Sequence, residues 1–144
     1  MIKSFRGLLK DGGQEKIPLH TNDGRTGYRI VKFQLMHDEP GEEQAEHTVK
    51  VYKLKQSTID NTINFSDNTL LAAGYIMENP NNAYPVSKVI VFDNEIFNQD
   101  IYITQSDTIG SRACNYYIEL EEVRLGSLEA TVVTLKDMRG RNTT

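Results

Sequence analysis

Three carboxylates beside strong strand signals, Asp93, Glu95 and Asp100, are the residues of this chain best suited to acid–base work. Two carboxyl groups flanking one bond could act as acid and base in glycoside hydrolysis. The commoner use is structural: Asp93-Asn94 can close an Asx turn, and Asp100 can end a strand. His20, His37 and His47 form no H-x-H or H-x-x-x-H pair, so zinc has no local scaffold. Cys114 is the one cysteine, which rules out a disulfide within the chain. No histidine lies near it in sequence to act as its base, so it reads as a small buried residue.

Other templates fail on spacing. The chain has no G-x-S-x-G elbow, no phosphate-binding glycine loop and no G-x-G-x-x-G. The acidic run at residues 37–46, HDEPGEEQAE, lacks the ordered ligands of a calcium loop and reads as a solvated loop tip. Tyr28, Tyr52, Tyr102, Tyr116 and Tyr117 could line a sugar-binding face, but core or interface duty is the commoner role of strand tyrosines. The residues therefore point to no catalytic group, no metal and no cofactor.

The elements that would carry these residues are mostly strands. Residues 114–123 alternate strictly: Tyr116, Ile118 and Leu120 on one face, Tyr117, Glu119 and Glu121 on the other. That period is the mark of a half-buried strand. Residues 4–9 and 15–20 flank Lys10-Asp11-Gly12-Gly13 and suggest a β-hairpin, with Pro18 marking the second run as an edge or bulged strand. Residues 27–36 place Val31, Phe33 and Leu35 on one face and Tyr28 and Ile30 on the other. This suggests a strand covered on both faces or touching a partner. Residues 48–54 form a further strand, with Val49 and Val51 opposite Lys50 and Tyr52.

Residues 56–68 are polar and turn-rich, residues 70–77 suit a strand or short helix, and residues 79–85 (NPNNAYP) form a loop. The wholly apolar run at residues 89–92 is expected in the core, and residues 100–104 form the next strand. In residues 127–139 the period changes: Leu128, Val132 and Leu135 recur at helical spacing, with Ser127 as a cap and Glu129 in the first turn. Thr131 to Thr134 are all β-branched and oppose a helix, yet the period favours one.

At 144 residues the chain is most simply one domain, 1–144, large enough to fold without disulfide or metal. About eight strands with regular turns suggest an antiparallel β-sandwich of jelly-roll type with a short C-terminal helix. Sixteen basic residues against 20 acidic ones give a net charge of −4. The bases are scattered, so a nucleic-acid partner is not expected. No apolar run is long enough for a signal peptide or membrane span, so synthesis in a cytoplasm is expected.

Several phrases occur in order: SFRGLLKDGGQEKIPLHTNDGRTGYRIVKFQ, NFSDNTLLAA, VFDNEIFNQDIYIT, NYYIELEEVRL and EATVVTLKDMR. Through them, over nearly its whole length, the chain resembles a group of small, mostly uncharacterised proteins encoded by marine bacteriophages. The resemblance implies a virion structural protein without catalytic residues: a minor capsid protein at a vertex (penton) or as a decoration. A tail or head–tail connector subunit is the alternative within that class, and a carbohydrate-binding host-recognition module the alternative outside it. The implied partners are further copies of the chain and other virion proteins, and the implied location is the virion. The segments expected to make contacts are residues 2–5, through Ile2 and Phe5, and residues 138–144, through Met138, Arg139 and Arg141. Tyr117 is the expected contact on the outward row of residues 117–121.

Overall fold

A computed structural model describes residues 1–42, 44–79 and 87–139. Within them lie β1 (Ile2–Leu9), β2 (Gln14–Ile17), β3 (Thr26–His37), β4 (Ala45–Tyr52), β5 (Leu70–Glu78), β6 (Ser87–Phe92), β7 (Ile101–Asp107), β8 (Cys114–Arg124) and α1 (Ser127–Arg139). The fold is mainly β. A three-stranded sheet runs β1-β8-β3 and a five-stranded sheet runs β2-β7-β4-β5-β6, every neighbour antiparallel.

The two sheets feed one core. Phe33, Ile118 and Leu120 enter from the three-stranded sheet, and Val49, Val51 and Ile103 from the other; each is at most 1% exposed. Burying a side chain of this kind stabilises the fold by about 1.5–3 kcal/mol. Gly74 makes the close approach possible: a Cβ there would lie 2.6 Å from Leu35 and 3.0 Å from Ile90.

The expected hairpin at residues 4–20 does not form. The turn exists, with the Gly13 amide donating to Lys10 O at 2.8 Å. Its arms, however, join different sheets, β1 beside β8 and β2 beside β7. The turn is held from outside instead: Gly12 N–H donates to Gln105 O, and the Asp107 amide donates to Asp11 Oδ1. An edge position for the Pro18 run is observed, because β2 ends the five-stranded sheet.

The mixed faces of β3 have a local cause. Its register against β8 shifts between Ile30 and Lys32. A bulge inserts one residue and reverses the side-chain parity beyond it. Tyr28 and Ile30 before the shift, and Phe33 and Leu35 after it, therefore all reach the core, while Val31 is left exposed. No second covering layer is needed to explain the pattern.

The five-stranded sheet does have a cover on its far face. Residues 53–69 fold back over it: Lys50 Nζ, on a residue only 3% exposed, donates to Thr62 O at 2.6 Å and Asp60 Oδ1 at 3.2 Å. The expected core position of residues 89–92 is overturned. They lie in β6, at the sheet's edge, with Val89 56%, Val91 43% and Phe92 38% exposed. Ile90 alone of this run packs against the core. Length and apolarity identify a strand; they do not say whether neighbours cover both faces.

Candidate functional site

The site most removed from ordinary strand packing lies where α1 meets the loop between β6 and β7. The helix forms where its period places it, and its apolar side faces outward. Leu128 is 79% exposed, Val132 57%, Leu135 59% and Met138 44%, while Ala130 and Asp137 are buried. At about 100° per residue, Leu128, Val132 and Leu135 share one side and Ala130 and Asp137 the opposite side. The expected apolar stripe exists and faces away from the body of the protein.

Polar bonds hold the inner side. Asn98 is fully buried and works as the hub: its side-chain amide donates to Gly24 O at 2.9 Å, Thr134 Oγ1 at 2.7 Å and, more weakly, Ala130 O at 3.4 Å. Its backbone N–H donates to Asp137 Oδ2 at 2.8 Å. Lys53 Nζ reaches Asp137 Oδ1 at 3.3 Å and Glu95 Oε1 at 2.9 Å, and Lys136 Nζ reaches the same Glu95 oxygen at 2.7 Å. At the helix start, Gly126 O accepts from the Ala130 amide, and the Ser127 hydroxyl accepts from Arg25 rather than capping the helix. Gly24 must be glycine on two counts: its φ is +67°, and a Cβ would crowd Thr134 Oγ1 at 3.0 Å.

The electrostatics are closed within this cluster. Burial opposes ionisation of Glu95, but Lys136 and Lys53 hold its carboxyl below the usual range. Burial pushes Asp137 up, against the pull of the Asn98 amide and Lys53, with Glu95 adding to the rise. Beside the cluster opens a cleft of about 970 Å³, bounded by Phe65, Asp67, Val91, Asp93, Glu95 and Lys136. Both ammonium groups at its wall are already paired with carboxylates of the chain.

The three acids considered for catalysis have different employment. Glu95 is bound into the helix anchor, and Asp93 lines the cleft. Asp100 pins residues 18–20: it accepts from the Leu19 amide at 2.8 Å and the His20 amide at 3.0 Å, with Lys16 at 3.3 Å. Burial would raise its pKa, but the His20 ring and these bonds outweigh that and hold it well below the usual range.

His37 and His47 are both buried, their rings tilted at 44° with centroids 5.2 Å apart. Burial lowers the His37 pKa, Glu78 partly opposing. Cys114 is buried, and desolvation pushes its thiol up to about 12, which suppresses thiolate chemistry. Among the described residues, no three His, Cys, Asp or Glu side chains stand where they could hold a metal ion. No helix among them is long and apolar enough to cross a membrane.

The expected contact residues are scattered. Ile2 and Phe5 point to opposite faces of β1, Ile2 exposed and Phe5 packed against the core. Tyr117 is half-buried on the outer face of β8, its hydroxyl donating to Glu119 at 2.7 Å and Lys32 lying 5.8 Å from its ring. Glu121 on the same row pairs with Arg29 at 2.8 Å. Met138 is exposed near the end of α1, Arg139 is its last residue, and Arg141 lies outside the described residues. Of the five tyrosines, Tyr28, Tyr52 and Tyr116 are buried, so they form no common outward face.

The side-chain amide of the Asn98 hub draws its partners from 32 to 74 residues away along the chain. No local spacing could reveal it. A weak signal was available in Asp137, an acid on the side of α1 opposite the apolar stripe. In the comparisons with known proteins, no family model and no curated protein matches the chain.

Proposed function

We propose that this chain is a structural subunit of a bacteriophage virion, a minor capsid protein set at a vertex or decorating the shell. It would act passively, by burying strand edges, loops and its terminal segments against neighbours. The resemblance to marine phage proteins supplies the class, and the strand order is the observation that carries it. An eight-stranded jelly roll, a fold frequent in viral capsids, orders its strands 1-8-3-6 against 2-7-4-5. The order here is 1-8-3 against 2-7-4-5-6. The one departure is β6, which stays beside β5 and reaches the other sheet through Lys88 Nζ on Gln34 Oε1 at 2.9 Å. That order supports a jelly-roll sandwich as the finer description of the two sheets.

Surface character supports the same reading. An acidic chain with exposed apolar residues on β6 and α1 has more to gain from neighbouring protein than from phosphate or small substrates. Ile2 and Met138 are exposed and, with Arg139 and Arg141, are the proposed contacts; the virion is the proposed location after synthesis in the host. Mass spectrometry of purified virions, with copy number per particle, tests the proposal. A fixed stoichiometric copy number is expected; absence from the particle overturns it. A connector subunit would instead form closed rings by light scattering. Glycan-array binding lost on Tyr117→Ala would favour host recognition over a purely structural role.

A further inference from the structure

The outward stripe of α1 has a geometry that selects its own partner. Leu128, Val132 and Leu135 form its centre, Thr131 and Met138 one flank, and Glu129 and Lys136 the other. Glu129 and Lys136 are seven residues apart, so they lie on one edge about 10 Å apart along the axis. Two antiparallel copies of a helix related by a two-fold axis bring like flanks together, each edge facing its own image. With the axis between Val132 and Val133, Glu129 of one copy falls opposite Lys136 of the other, and the pairing repeats by symmetry. Leu128 then falls about 3 Å in level from Leu135 of the other copy, and the leucines interdigitate across the axis.

We propose that the outer face of α1 is a self-complementary docking surface on which two copies of this chain pair through antiparallel helices. Charge complementarity selects a second copy: a parallel pair would not set these opposite charges at one level, whereas the antiparallel pair satisfies both. Lys136 already touches Glu95, but it remains 59% exposed, and an ammonium has three donors. The inner face of the helix is fixed to the body by Asn98 and Asp137, so docking requires no release of α1.

One thirteen-residue helix offers less than the roughly 800 Å² per partner of a stable complex, so the pair should be weak in solution and favoured where subunits are concentrated. The inference rests on the helix alone and does not depend on the virion reading.

Sedimentation velocity across a concentration series tests it, together with cysteine cross-linking on the full chain. Wild type should show a reversible monomer–dimer equilibrium with a dissociation constant on the order of 100 μM, as suits a small interface. Val132→Glu should abolish the dimer, and Glu129→Lys should weaken it about tenfold through two symmetric repulsions. Circular dichroism melts of both variants should match wild type, because both positions are exposed. Val132→Cys should cross-link to itself. Leu128→Cys should cross-link to Leu135→Cys in a mixture but poorly to itself, since its own image lies about 13 Å along the axis. A wild type monomeric at all concentrations, a dimer indifferent to Val132→Glu, or self-linking of Leu128→Cys as strong as the mixture would each overturn the proposal.

Discussion

β8 and α1 are neighbours in sequence, and they bury opposite kinds of residue. β8 sends Tyr116, Ile118 and Leu120 inward and leaves Tyr117, Glu119 and Glu121 at the surface. α1 sends Asp137 and Thr134 inward onto Asn98 and leaves Leu128, Val132 and Leu135 in water. Both have an amphipathic period. The difference lies in what each meets: β8 is the middle strand of its sheet and faces an apolar core, whereas α1 meets a polar loop whose hub is a buried amide. A period identifies the element and its two faces. The surface it docks on decides which face goes in.

Substitutions should separate the two elements sharply. In β8, Ile118→Ala removes a fully buried side chain and should cost about 2–5 kcal/mol in denaturant unfolding, with no change in m. Next should come the hub of the helix anchor. Asn98→Ala leaves the Gly24 carbonyl and Thr134 hydroxyl without their donor and should cost about 2–3 kcal/mol by the same measurement. Leu135→Ser, by contrast, should change stability by less than about 0.5 kcal/mol, although a conventional amphipathic helix would lose several times that. A large loss at Leu135 with little at Asn98 would mean that α1 docks through its apolar side instead.

Acid should destabilise the fold by a smaller amount. Asp100, Asp107 and Glu95 all have folded-state pKa values below their ordinary values of 3.8, 3.8 and 4.5. Each contributes stability that is complete above the ordinary value and is lost as pH falls through the lowered one. His37 is lowered from 6.5, so the unfolded chain takes up its proton first, and stability should begin to fall below about pH 6.5. Melting temperature against pH should therefore show a shallow limb from about pH 6.5 and a steeper one below about pH 4. His37→Phe should remove the shallow limb only.

Much of the strand framework was legible because it rests on local patterning. The alternation from Cys114 to Val123, the edge position of the Pro18 run and the helix over Ser127–Arg139 could all be read from adjacent residues. The failures share a cause as well. The hairpin around Gly12-Gly13, the two-faced β3 and the core role of Val89 to Phe92 each depended on which distant strand stood alongside. A one-residue bulge at Val31 and an edge position for β6 are decided by pairing, which propensity does not encode. The site was less legible still. Lys53, Asn98 and Asp137 are polar residues with no motif between them, joined only when three parts of the chain converge.

α1 is held by its polar side with its apolar side outward. Maleimide labelling of Leu135→Cys and Ala130→Cys, in dilute protein where no pair forms, tests this most directly. Cys114 serves as a silent background, since its thiol is buried. Cys at 135 should react at the rate of an open thiol, and Cys at 130 about a hundredfold more slowly, because a buried group waits for local opening that costs on the order of 2–3 kcal/mol. Equal rates, or protection at 135 with ready labelling at 130, would overturn this orientation of α1.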